Sequence, residues 1–205
     1  MPTPAPGPAE CCAASSERRR DLASPGCCPS WCRGAPTRAT RRAPGGVVST
    51  PVQRLAAAGW KMPPAPTAKG LYVPARRHGD LLYLSAHGPF GPDGGFTHRG
   101  TVGEALSVAE GQAAAAACAL SLLASTARAL GDLSSVSGAL AMTGFVNAAA
   151  GFEDHAKVLD GASEVLDAAF GPEARPARSV VGVASLPFGL PIVVEATVVI
   201  GADDG

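Results

Sequence analysis

Cysteine and arginine are the first residues of this chain whose spacing suggests chemistry. Cys27, Cys28 and Cys32 fall within six residues, and Cys11 and Cys12 could complete a set of thiolate ligands. Zinc is better served by C-x2-C pairs, in which two thiolates turn toward one ion, and no His lies between Met1 and Gly46. No metal site and no cofactor are therefore expected. Arg18-Arg19-Arg20 and Arg41-Arg42 could contact phosphates, yet Trp31 is the sole aromatic of that segment and no periodicity accompanies them. A different chemistry sits further on. Arg178 opens a strand after a proline-containing turn, so its planar guanidinium could give a carboxylate two parallel charge-assisted bonds, or pair with an acid at the surface. An ordinary histidine changes charge near neutral pH, so His87 could move a proton, or face solvent in a turn.

These groups belong to two different materials, which the formal net charge of zero conceals. Up to Gly46 the chain has seven Arg against Glu10, Glu17 and Asp21, a charge of +4; from Val47 onward ten basic residues face fourteen acidic ones, a charge of −4. The first segment also holds eight of the 19 prolines and five of the six cysteines, and it has no apolar run from which to build a core. Residues 1–46 are expected to be a disordered leader, loosely like a transit peptide but for its acids, or an over-extended reading frame whose true start lies near Val47-Val48-Ser49-Thr50-Pro51. Residues 47–205 suit a single domain. The N-terminus lacks the apolar stretch of a secretory signal, and the Ala-rich run from Ala113 to Ala127 is too short for a membrane span. A cytoplasmic protein with no membrane partner is the expectation.

The later residues must be positioned by elements that the pattern marks clearly. Pro51 to Ala58 predicts a short helix with Val52, Leu55 and Ala56 on one side, followed by the extended linker Met62-Pro63-Pro64-Ala65-Pro66. Tyr72 to Arg77 and Leu81 to Ala86 flank His78-Gly79-Asp80 as a hairpin, and a third short strand is expected near Phe96 to Val102 after the turn Gly91-Pro92-Asp93-Gly94-Gly95. Ser107-Val108-Ala109-Glu110 is a capping box that starts a helix running to Leu130, with Gly131 as its C-cap. Val136 to Asn147 reads as a strand. Phe152 to Phe170 reads as a second long helix with Phe152, Ala156, Leu159, Ser163, Leu166 and Phe170 on one face. Ser179 to Leu186 and Ile192 to Ile200 complete the order β-β-β-α-β-α-β-β, an α+β sheet covered by two helices on one face.

Three stretches together resemble the Rid (YjgF-type, L-PSP endoribonuclease-like) family. Pro176-Ala177-Arg178-Ser179 with Val180-Val181-Gly182-Val183-Ala184, Leu186-Pro187 and Val194-Glu195-Ala196 is similar to its C-terminal signature. Leu82-Tyr83-Leu84-Ser85-Ala86-His87 with Pro89, and Gly70-Leu71-Tyr72 before it, resemble its early strand and the motif leading into that strand. Phe145-Val146-Asn147 and Gly161-Ala162-Ser163 point to a particular branch. The resemblance covers about Pro51 to Ile200. It implies a chorismate-mutase-like fold, a homotrimer with active sites in the clefts between subunits, and hydrolysis of reactive enamine or imine intermediates to keto acids and ammonia.

The same resemblance assigns roles residue by residue. Arg178 would anchor the carboxylate of an imine or keto-acid ligand, Tyr72 would orient substrate or water, and Ser85 with the backbone N–H of Ala86 would line the carboxylate pocket. His87 is unusual at its position. Asp160 stands near a family Asn, where an anion facing the cleft would oppose carboxylate binding and one facing solvent would be neutral to it. Counted from Arg178, the water-positioning Glu of deaminating members falls at Val193, while Glu195 matches the next family Glu, on the same strand face and ~7 Å further along. Valine can neither hold the attacking water nor take its proton. Three readings follow: an imine deaminase using Arg178, Tyr72 and Glu195; a weakly catalytic or non-catalytic regulatory trimer that binds small carboxylates; and a ribonuclease, against which the −4 charge of residues 47–205 argues.

Overall fold

The computed structural model describes residues 49–201. The leader expected over residues 1–46, with its candidate ligands Cys11, Cys12, Cys27, Cys28 and Cys32, lies outside the described residues. Among those described, three helices and five strands follow one another as α1 (Pro51–Ala57), β1 (Ala75–His78), β2 (Leu81–His87), α2 (Val108–Leu130), β3 (Val136–Asn147), α3 (His155–Phe170), β4 (Ala177–Val183) and β5 (Ile192–Ile200). The strands form one sheet in the order β1-β2-β5-β3-β4. Every pairing is antiparallel except β3 with β4, which α3 joins as a crossover.

Local chemistry accounts for the long elements. The Ser107 hydroxyl accepts from the Glu110 N–H and the Glu110 carboxylate accepts from the Ser107 N–H, so α2 starts where the capping box places it and ends at Gly131, φ 91°. Ala114, Ala115, Ala116, Ala119 and Ala124 of this helix are buried and small, as is Cys118, which lets α3 come close. The nearest approach is at Gly161, where an added Cβ would lie 2.1 Å from the Gln112 carbonyl oxygen. Length and composition alone would let α2 cross a membrane, contrary to the expectation that no such stretch exists; in the fold 67% of that window is buried, the use a soluble core makes of such a helix.

In β5 the residues alternate strictly, with Ile192, Val194, Ala196, Val198 and Ile200 buried beneath the helices and Val193, Glu195, Thr197 and Val199 on the opposite face. Among the described residues nothing covers that opposite face, and Tyr83, Leu140 and Val181 stand about half exposed upon it.

Several expectations are corrected. The strand expected near Phe96 to Val102 is not part of the sheet: Phe96 pairs only with Phe90, and Val102 only with Leu106 and Ala148, as isolated bridges, because Gly100 and Gly103 turn the chain at positive φ on either side of Val102. The observed order is therefore β-β-α-β-α-β-β after the short α1. The first hairpin strand begins at Ala75 rather than Tyr72. In α1 the buried residues are Pro51 and Leu55, with Val52 exposed. Arg54 explains the orientation: its Nε donates to the Ala169 carbonyl at 2.8 Å, docking α1 on the last turn of α3. The buried stripe of α3 runs through Val158, Leu159, Ala162, Val165, Leu166 and Ala169, offset from the expected face because Ser163 turns toward Arg178. The fourth strand spans Ala177–Val183 and so includes Arg178.

Candidate functional site

Four of the residues singled out in the sequence come together. Tyr72, Ser85, Ala86 and His87 line one cavity of about 280 Å³, with Val193 on its wall. It is bounded by the proline-rich segment before β1, the end of β2, the loop after it, and the turn between β4 and β5.

A β-bulge shapes the floor. Leu84 pairs with Ala196 and His87 with Val194, so three residues of β2 advance while β5 advances two. The extra residue breaks the period-two alternation and sends His87 into the core, where it is 5% exposed rather than facing solvent. Its Nδ1 donates to the Ser85 carbonyl at 2.5 Å, since a carbonyl can only accept, and Nε2 then accepts from the Ser125 hydroxyl of α2 at 2.7 Å. Burial holds the imidazole below its usual pKa, the Ser85 bond opposing and the charge on Arg128 adding to the effect. A neutral imidazole with both nitrogens engaged braces the bulge; it has no free nitrogen with which to transfer a proton.

Ser85 is tied to the preceding segment, its N–H donating to the Pro74 carbonyl at 3.0 Å and its hydroxyl to the same oxygen at 3.3 Å. Tyr72 is half exposed, and its hydroxyl accepts from the Lys69 N–H at 3.4 Å. Lys69 itself lines the cavity and is its one cation among the lining residues, none of which is acidic.

The other predicted residues stand elsewhere. Arg178 lies on edge strand β4, separated from β2 by β3 and β5, three inter-strand steps or ~14 Å. Its Nη2 pairs with the Asp160 carboxylate at 2.6 Å and its Nη1 donates to the Ser163 hydroxyl at 2.9 Å. Two turns further along α3 and just before β4, Asp167 and Arg175 form a second pair, whose hydrogen bonds hold the Asp167 carboxyl below its usual range. Asp160 thus faces Arg178, not solvent alone. Glu195 lies in an adjoining hollow on the open sheet face with Arg76, Tyr83 and Thr143, which shares Ser85 with the cavity. In one chain it does not reach the cavity that Val193 lines.

Sequence reasoning did not find Lys69, Phe90, Phe96, Phe188 or Leu190, all of which line the cavity. The proline and glycine clusters around them marked turns but gave no sign of which turns would meet. Among the described residues no group of three or more His, Cys, Asp or Glu could hold a metal ion. Cys118 is fully buried against β5, and burial pushes its thiol far up, away from the reactive thiolate.

Fold and cavity together define the class: a single α+β sheet with two long helices on one face and an amino-acid-sized pocket at the end of its second strand. The chain belongs to the YjgF/chorismate-mutase-like family, described as "putative endoribonuclease", whose model matches residues 52–195. Protein TCP17 of Trypanosoma cruzi is 40% identical over 154 residues, covering 75% of this chain and 94% of that protein. Among solved structures, Atu1372 of Agrobacterium tumefaciens is 36% identical with a TM-score of 0.66, over 72% of this chain and 89% of that one. A Shewanella oneidensis protein titled a "putative endoribonuclease" is 30% identical with a TM-score of 0.71, over 74% of this chain and all of the other. Membership supports a small-molecule-binding or deaminase-like role.

Proposed function

We propose that the protein binds a small carboxylate of the imine or keto-acid class in the cavity lined by Tyr72 and Ser85, and that it catalyses imine hydrolysis weakly or not at all. The observation that carries this reading is the wall of the cavity: Val193 occupies it, no carboxylate lines it among the described residues, and Glu195 opens into the adjoining hollow on the far side of Ser85. Hydrolysis of an imine needs a group that holds water against the imine carbon and accepts its proton. The cavity retains groups for positioning a ligand and lacks that one.

Arg178 can serve such a ligand only from a neighbouring chain, since in its own chain it stands at the far edge of the sheet. The bare sheet face, with Tyr83, Leu140 and Val181 half exposed, supports assembly of several copies, and the homotrimer implied by the resemblance would bring one chain's β4 edge toward another's cavity. A nuclease reading finds less support, because acids outnumber bases fourteen to ten in residues 47–205 and Lys69 is the one cation lining the cavity.

A second reading, true imine deamination in a cytoplasmic setting, is favoured by the gathering of Tyr72, Ser85 and Ala86 around one cavity. One experiment separates the two. The full chain is titrated with pyruvate by calorimetry, and 2-iminopropionate is generated with an amino-acid oxidase while pyruvate release is followed. Binding that Arg178→Ala weakens, without acceleration of hydrolysis, is the expected result. Acceleration lost in Arg178→Ala would establish the deaminase instead, and absence of acceleration together with absence of binding by pyruvate and by bulkier 2-keto acids would remove both readings.

A further inference from the structure

The cavity is walled by three phenylalanines, Phe90 and Phe96 paired across one turn and Phe188 from the turn between β4 and β5. The Phe90 and Phe96 ring centroids are 4.6 Å apart, and those of Phe96 and Phe188 are 5.4 Å apart. Gly88 makes room for this convergence: a Cβ there would lie 2.8 Å from Leu190 Cδ1 and 3.2 Å from Phe96 Cε1. Phe188 is the one non-glycine residue among those described with a positive φ, at 61°, a strained conformation for a bulky side chain. The surrounding contacts hold it there. Arg99 donates to the Phe188 carbonyl, its guanidinium lies 5.3 Å from the Phe96 ring centroid, and the Gly100 N–H donates to the Gly189 carbonyl at 2.8 Å.

Core packing does not explain this arrangement, because Phe188 remains 54% exposed. The strained residue lines the cavity instead. The polar groups of the floor are meanwhile spent internally, both His87 nitrogens on Ser85 and Ser125 and the Ser85 hydroxyl on Pro74. A cavity of about 280 Å³ lies at the small end of the ~300–1,000 Å³ typical of ligand pockets, the scale of a single amino-acid-derived molecule.

We propose that this site selects carboxylates bearing an aryl or bulky branched side chain, seated against Phe90, Phe96 and Phe188, over those bearing a methyl group. The inference rests on the ligand-binding reading above and names the substrate class for it. Offset or tilted packing of an aryl group on these rings adds to the burial of its surface, and methyl-sized side chains leave the aromatic wall unfilled.

Phenylpyruvate and pyruvate are titrated separately into the full chain. Phenylpyruvate is expected to bind at least ~10-fold tighter. Phe188→Gly, which accepts the positive φ and removes the ring, should bring the ratio of the two affinities toward one; Phe96→Ala tests the same wall by a second route. Pyruvate binding as tightly as phenylpyruvate overturns the inference and leaves the ligand-binding reading standing, as does a preference that neither variant alters. Binding of neither keto acid overturns both together.

Discussion

Arg178 is held by the chain's own acid: its guanidinium meets the Asp160 carboxylate at 2.6 Å, across the contact between β4 and α3. A ligand carboxylate approaching Arg178 must compete with Asp160 or share the cation with it. Removing the competitor by Asp160→Asn is expected to tighten pyruvate binding several-fold, while the fold loses no more than ~1 kcal/mol because both partners are partly exposed. Calorimetry and a thermal melt on the same samples check both parts.

Placing a carboxylate at the wall of the cavity should create the missing base. Val193→Glu is expected to accelerate 2-iminopropionate hydrolysis over wild type by at least ~10-fold, within the contribution usual for a positioned acid or base. The rate should rise with pH through one ionisation lying above the ordinary carboxylate range, since the apolar lining disfavours the anion. A pH–rate profile of the variant against wild type tests this.

His87 gives the fold an acid-side weakness. Burial holds its folded-state pKa below the reference value of 6.5, so the unfolded chain binds the proton first as the pH falls. Stability from this group is whole above pH 6.5 and is lost progressively below it, down to the lowered folded-state pKa. Urea titrations at neutral and mildly acidic pH should show that loss in wild type, and a shallower dependence in His87→Gln.

Close approach of α2 and α3 makes Gly161 intolerant of a methyl group. The added Cβ would meet backbone, the Gln112 carbonyl at 2.1 Å, which cannot turn aside as a side chain can. Gly161→Ala is expected to cost ~1–3 kcal/mol and lower the melting temperature by several degrees. Gly70→Ala, whose nearest contacts would be ordinary ones at 3.7 Å, should leave it near wild type.

Much of the scaffold was legible because its signals are local. The strands Val136–Asn147 and Ile192–Ile200 and the helix opened by Ser107 lie where alternation and capping place them. Tyr72 and Ser85 were found together by motif, and they do share a cavity. What could not be read depends on residues distant in sequence. Period two cannot anticipate the bulge that buries His87, and no propensity scale assigns a phenylalanine to the left-handed region at Phe188. The Asp160–Arg178 pair spans a helix and a strand whose packing is tertiary. Arg178 was read as the anchor of a ligand carboxylate or, alternatively, as the partner of an acid; within one chain it pairs with Asp160.

The parallel pairing of β3 with β4 bears on how the chain assembles. A hairpin can zip from its turn, whereas β4 can join the sheet only after the intervening α3 has folded back across it, a contact of higher sequence separation and later reward. As an edge strand with one neighbour, β4 also has fewer bonds to break than a central strand when the native state opens locally. Its amides should exchange with solvent deuterium sooner than those of β5, which lies between β2 and β3. The guanidinium of Arg178 therefore rides on a strand that is held from one side only and can come away while the middle of the sheet stays closed.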